Sequence, residues 1–255
     1  MDQRILAAVL LMLCTVIARA GVNTWTGIGP PGGNTTEIVY SSTPGTVFAL
    51  VGQGVYRSQD GGTTWQAAMV DFALNPPRRL AMDPSDSRRV YVTAPQWPSI
   101  YVSTDGGSSF QPLAAIPTAI SQASEIAVSE DGFTLYVSNF GRLFRSVDRG
   151  LTWAEITTVP TASTGRISRL YLEPGDPSTI YVSGFTSSTE AALLRTRDGG
   201  LTWTVVYSGV ATSASIFDMA VSRANPAHVW IARADGLFRS TDRGATWTAL
   251  RTGAA

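Results

Sequence analysis

Short apolar runs recur along this chain without the three-to-four-residue beat of an amphipathic helix. They are rich in Val, Ile, Leu, Tyr and Phe and are bounded by Gly, Pro, Asp or Asn, which predicts β-strands joined by tight turns. One set covers residues 38–40, 80–82, 126–128, 170–172 and 219–221. A second set follows each of these and carries an aromatic at its centre: Phe48, Tyr91, Tyr136, Tyr181 and Trp230. The residues flanking each aromatic are apolar too, as with Val90 and Val92 or Ile180 and Val182. A strand with one wet face would alternate, so these runs predict sheets covered on both faces. Between the two sets lie turn signals such as Asp83-Pro84, Glu173-Pro174 and Asn225-Pro226, where proline presets φ.

Self-comparison finds one pattern five times, Ser/Thr-x-Asp-x-Gly-x-Thr/Ser-aromatic, at residues 58–65, 103–110, 146–153, 196–203 and 240–247. Its aspartates are Asp60, Asp105, Asp148, Asp198 and Asp242, spaced by 45, 43, 50 and 44 residues, and its aromatics are Trp65, Phe110, Trp153, Trp203 and Trp247. That period is the length of a four-stranded propeller blade. The chain resembles the Asp-box or BNR-repeat propellers, among them sialidases, sortilin-type receptors, xyloglucan-cleaving glycosidases and photosystem assembly factors. The resemblance implies an all-β propeller of four-stranded blades, at about 36–68, 78–113, 124–157, 168–207 and 217–251, in one domain spanning 21–255. It also implies that the boxes lie on the face opposite the functional one. Thr24-Trp25-Thr26-Gly27 reads as an extra N-terminal strand. Three outcomes stay open: five blades closing into a ring with an extra edge strand, an arc of a larger propeller, or an arc completed by a partner.

The boxes are expected to be structural. A short carboxylate at a tight turn accepts hydrogen bonds from nearby amides and hydroxyls, and a large aromatic can fill the wedge between two blades. Identical chemistry in every blade answers a packing problem common to every blade, whereas a site is usually asymmetric. The arginines before four of the boxes, Arg57, Arg145, Arg195 and Arg239, share one register and read as interblade contacts.

Composition narrows the chemistry. Lys+Arg and Asp+Glu both number 19, so no net field draws the chain to nucleic acid. Every basic residue is arginine, which excludes lysine Schiff bases and P-loop phosphate binding. The single cysteine, Cys14, lies in an apolar run from Ile5 to Ile17 that precedes Ala18-Arg19-Ala20. Residues 1–20 are therefore expected to be a signal peptide cleaved after Ala20, too short for a span, which needs roughly 20 apolar residues. The mature chain would be secreted or periplasmic, with no membrane span, no cysteine and one histidine, His228, and so no disulfide and no multi-histidine metal site. No cofactor is expected.

Variation among the repeats falls on the rim opposite the boxes, which is where a scaffold is free to specialise. Trp97, Phe140 and Phe185 stand on loops after the second strands, and Asp235 lies nearby in the fifth repeat. Just before the innermost strands stand Glu37, Arg79, Glu125, Arg169 and Asp218, one per blade, which should ring the channel mouth with mixed charge. The binding surface is thus expected to comprise Trp97, Phe140, Phe185, Arg79, Arg169, Asp218 and Asp235. No catalytic constellation of the resembled glycosidases can be matched residue by residue, and xyloglucan-cleaving relatives use two propellers facing one cleft. The expected function is a secreted non-enzymatic scaffold for a protein or polysaccharide partner, without hydrolysis of sialosides or β-glucans. The alternatives are a secreted glycoside hydrolase, with Glu37 and Glu125 as a conceivable carboxylate pair, and a photosystem-type assembly factor.

Overall fold

The computed structural model describes residues 29–252 apart from 31–32, 53, 71–75, 114–115, 157–158, 161–166, 186–189 and 211–215. The expected signal peptide and the extra strand at residues 24–27 lie outside the described residues.

Twenty strands form five four-stranded antiparallel sheets, each built from consecutive strands in chain order. The first blade runs β1 (Thr35–Tyr40), β2 (Val47–Val51), β3 (Gly54–Ser58) and β4 (Gln66–Val70). The second is β5 (Arg79–Asp83), β6 (Asp86–Thr93), β7 (Ile100–Ser103) and β8 (Gln111–Pro112). The third is β9 (Glu125–Val128), β10 (Leu135–Asn139), β11 (Arg142–Ser146) and β12 (Ala154–Ile156). The fourth is β13 (Ile167–Glu173), β14 (Asp176–Phe185), β15 (Glu190–Thr196) and β16 (Thr204–Val210), and the fifth is β17 (Ile216–Val221), β18 (Val229–Arg233), β19 (Gly236–Ser240) and β20 (Thr248–Thr252). The fold is a five-bladed β-propeller. No described helix is long and apolar enough to cross a membrane.

The core is four wedges, one at each junction between successive blades. Phe48 and Val55 of the first blade meet Leu80, Val90 and Val92 of the second. Tyr91 and Ile100 meet Leu135 and Val137, Tyr136 and Leu143 meet Leu170 and Ile180, and Tyr181 and Leu193 meet Val229 and Ile231. The aromatic of the following blade's box packs on each wedge: Phe110, Trp153, Trp203 and Trp247 in turn. The doubly apolar second strands follow from this in the middle blades, since β6, β10 and β14 present one side chain to the wedge before and the next to the wedge behind.

The fifth blade carries the same residues and meets no following blade among the described residues. Val55, Ile100, Leu143 and Leu193, each three residues before a box, are fully buried, but their counterpart Leu237 is 40% exposed. Phe217 and Leu250 are exposed as well. At the other end, the innermost strand β1 exposes Ile38 and Tyr40. Successive innermost strands touch from β1 through β17, while β17 and β1 make no comparable contact.

Each box is tied to itself in one way. Ser58 Oγ donates to Asp60 Oδ1 at 2.7 Å and accepts from the Gly62 amide at 2.8 Å. Thr64 gives its amide to Oδ1 at 2.8 Å and its hydroxyl to Oδ2 at 2.6 Å. Asp105, Asp148, Asp198 and Asp242 repeat the set with Ser109, Thr152, Thr202 and Thr246. These donors hold all five carboxyls below the usual range, at about 2 for Asp60, Asp148 and Asp242. A backbone bond ties each box to the turn between its blade's first two strands or to the start of the second strand, as from Gly61 N–H to the Gly45 carbonyl and from Gly106 N–H to the Arg88 carbonyl. Boxes and inner turns therefore share one face of the propeller.

Candidate functional site

The innermost strands carry two neighbouring columns of residues. The first is the charged column, Glu37, Arg79, Glu125, Arg169 and Asp218, and all five side chains line one central cavity of ≈ 380 Å³. Three of them are coupled. Arg79 Nε donates to both Glu125 oxygens at 2.9 Å, and Arg169 Nη1 lies 3.5 Å from Glu125 Oε1. Glu37 accepts the Leu80 amide at 2.7 Å, and burial pushes its carboxyl up despite that bond and the nearby Arg79. Asp218 accepts the Tyr171 hydroxyl at 2.5 Å and the Met219 amide at 2.9 Å. Burial first, and then that carboxylate, push the Tyr171 phenol up.

The second column stands one residue earlier in four of the blades: Thr36, Arg78, Ser124 and Ser168. With Pro77 and Ile167 it lines a wider cavity of ≈ 620 Å³ above the channel, which Arg79, Glu125 and Arg169 also reach from below. This cavity opens on the face away from the boxes. The channel thus has a mixed-charge throat and an arginine-rich mouth.

The other expected site residues are more scattered. Trp97 and Phe140 are 52% and 50% exposed, both on connections between second and third strands. Phe140 sits in the two-residue turn between β10 and β11 at φ 56, and its carbonyl accepts the amide of Ile167, a lining residue of the mouth. Phe185 is not on a loop: it ends β14, paired with Ala191, because that hairpin extends further than those of the other blades. Asp235 is bound by Arg233, whose guanidinium lies over the rings of Tyr207 and Phe238, and it lines neither cavity. The arginines before the boxes reach across junctions. Arg57 donates to the Gly106 carbonyl and the Ser108 hydroxyl, and Arg195 to the Arg243 carbonyl at 2.5 Å. Arg239, on the fifth blade, stacks on Trp230 and approaches His228. No cluster of three or more possible metal ligands occurs among the described residues.

Sequence reasoning missed the second column. The one available signal was the Arg78-Arg79 pair; Thr36, Ser124 and Ser168 are small hydroxyls whose role shows only when four strand ends converge.

The fold and the five repeated boxes define the class: the chain is a five-bladed β-propeller that carries an Asp-box motif in every blade. The BNR/Asp-box repeat family profile matches residues 56–67. Among curated relatives, a Paenibacillus xyloglucanase is 26% identical over 242 residues, covering 77% of this chain and 23% of the relative. The xyloglucanase Xgh74A of Acetivibrio thermocellus is 25% identical over 239 residues, covering 76% and 28%. The chain thus spans about a quarter of the length of the curated relatives it matches. Among solved structures, a GH74 enzyme of Niastella koreensis superposes with a TM-score of 0.64 at 21% identity, over 82% of this chain and 37% of that one.

These relatives overturn the expectation of a non-enzymatic scaffold. That expectation rested on failing to match whole catalytic motifs, whereas the similarity to these relatives is 26% and 25% identity spread over 242 and 239 residues.

Proposed function

We propose that this chain acts in the hydrolysis of a xyloglucan-type β-glucan and that the channel mouth is its substrate face. The observation that carries the reading is similarity to xyloglucanases over three quarters of the chain. The chemistry of the throat supports it. Glycoside hydrolysis needs a carboxylic acid to protonate the leaving oxygen and a second carboxylate to act on the sugar or on water. Glu37 suits the acid role, because burial favours its neutral form. Asp218, on the last blade of the same throat, is the candidate second carboxylate, oriented by Tyr171 and the Met219 amide. Trp97 and Phe140 offer exposed rings on which sugar faces can stack. The box aspartates are unsuited to proton donation, since hydroxyls and amides keep them ionised.

The test is release of reducing ends from xyloglucan. The protein should turn the polymer over, with kcat falling as pH rises through the Glu37 pKa, and Glu37→Gln should lower kcat about 100-fold or more at an unchanged melting temperature. A protein that neither binds nor cleaves xyloglucan rejects the reading. Cleavage that persists in Glu37→Gln removes only the assignment of the proton donor.

A further inference from the structure

Resting on that reading, we propose that the mouth selects a polysaccharide carrying carboxylated sugars and seats one uronate residue against Arg169. The argument begins with charge. Among the described residues, the mouth is lined by three guanidinium groups, Arg78, Arg79 and Arg169, and by one carboxylate, Glu125. Glu37 and Asp218 line the throat below and do not reach this upper cavity, so the acidic and basic members of the channel are separated along its axis. The lining of the mouth therefore carries a surplus of positive charge in a chain whose total is balanced.

The arginines differ in what they have left to give. Arg79 commits its Nε to both oxygens of Glu125 and its Nη1 to the Arg78 carbonyl. Arg169 gives Nη1 to the Ser168 carbonyl at 2.8 Å and stands 3.5 Å from Glu125, while its Nε and Nη2 have no protein acceptor among the described residues. Its side chain is 35% exposed, partly desolvated yet reachable. A planar fork with two free donor positions suits a carboxylate, which accepts two parallel hydrogen bonds, better than the single oxygen of a neutral hydroxyl. The rest of the wall suits a sugar. Thr36 and Ser168 bring hydroxyl-bearing side chains, Pro77 and Ile167 give apolar surface for a ring face, and ≈ 620 Å³ lies within the range of about 300–1,000 Å³ typical of small-ligand sites. A purely neutral glycan would leave the Arg169 donors facing hydroxyls alone.

The test measures affinity by calorimetry for four probes: a galacturonan oligosaccharide, the same oligosaccharide with its carboxyls reduced, a neutral xyloglucan oligosaccharide, and dextran sulfate. The galacturonan should bind at least tenfold more tightly than its reduced form, and added salt should erode the difference. Arg169→Gln should cut that preference at least tenfold, with its melting temperature measured alongside to show that it folds. Should Arg169→Gln fail to fold, Arg169→Lys replaces it, retaining the charge but not the fork, and a clear loss of preference is again expected. Equal binding of the galacturonan and its reduced form overturns the inference and leaves the xyloglucan reading standing. A preference untouched by Arg169→Gln, or matched by dextran sulfate, also overturns it. Binding of the galacturonan alone, with xyloglucan neither bound nor cleaved, supports the carboxylate site and rejects xyloglucan as substrate. No binding of any probe rejects both.

Discussion

The aspartate of each box is the residue whose environment is most uniform in this protein. Asp60, Asp148 and Asp242 hold a pKa of about 2 against an ordinary 3.8, the hydroxyl and amide of the threonine four residues on being the largest causes. A carboxyl depressed on folding binds its proton more readily in the unfolded chain. The stabilisation is therefore complete above the unfolded value and is lost as pH falls from about 4 toward 2. The melting temperature should drop steeply over that interval, and the drop should be smaller in Asp148→Ala, which is already less stable at pH 6. An Asp148→Ala variant with the parent's melting temperature at both pH values would remove the box from the account of stability. The glycine two residues after each of these aspartates is equally constrained. A Cβ at Gly107, which has a φ of 82, would overlap the ring of Phe48 in the preceding blade, whereas one at Gly62 would meet only the ring of Trp65 at 3.5 Å. Both substitutions strain the backbone, but only the first also spoils a wedge. Thermal melts should accordingly show Gly107→Ala losing clearly more than Gly62→Ala, and equal losses would mean that the backbone term alone matters.

At the scale of the strand, much was legible before any coordinates. The aromatic column Phe48, Tyr91, Tyr136, Tyr181 and Trp230, flanked by apolar residues on both sides, implies sheets covered on both faces, and the strands of Tyr91, Tyr136 and Tyr181 lie between two wedges, while those of Phe48 and Trp230 meet one each. It was legible because each blade restates it, so chance apolar runs cancel and the shared ones remain. The charged column was equally visible, and its five members do share one cavity. What could not be read was depth along the axis. Whether Arg78 or Arg79 faces the mouth depends on how five strand ends splay, and one residue of register moves a side chain from mouth to throat. Phe185 shows the same limit in another form. The fourth hairpin continues its ladder to Phe185 opposite Ala191, where the sequence places Phe185 on a loop after the second strand.

For the molecule as a whole, the unequal ends matter most. Leu143 and Leu237 occupy equivalent positions before their boxes, one fully buried and the other 40% exposed. Leu143→Ala should cost about 2–5 kcal/mol, the usual range for a buried leucine, and Leu237→Ala much less, because the removed methyls were already partly in water. Denaturant melts of the two variants decide this, and similar losses would mean that the fifth blade's outer face is covered in solution. The same repetition has a historical side. Every sheet is drawn from consecutive residues, and every junction pairs the back of one unit with the front of the next. A copying error that duplicated one unit, cut anywhere in a connecting loop, would deliver a new blade already bearing both halves of the contact it requires. Lineages built this way can lengthen or shorten by whole units while the chemistry at the mouth diverges one loop at a time.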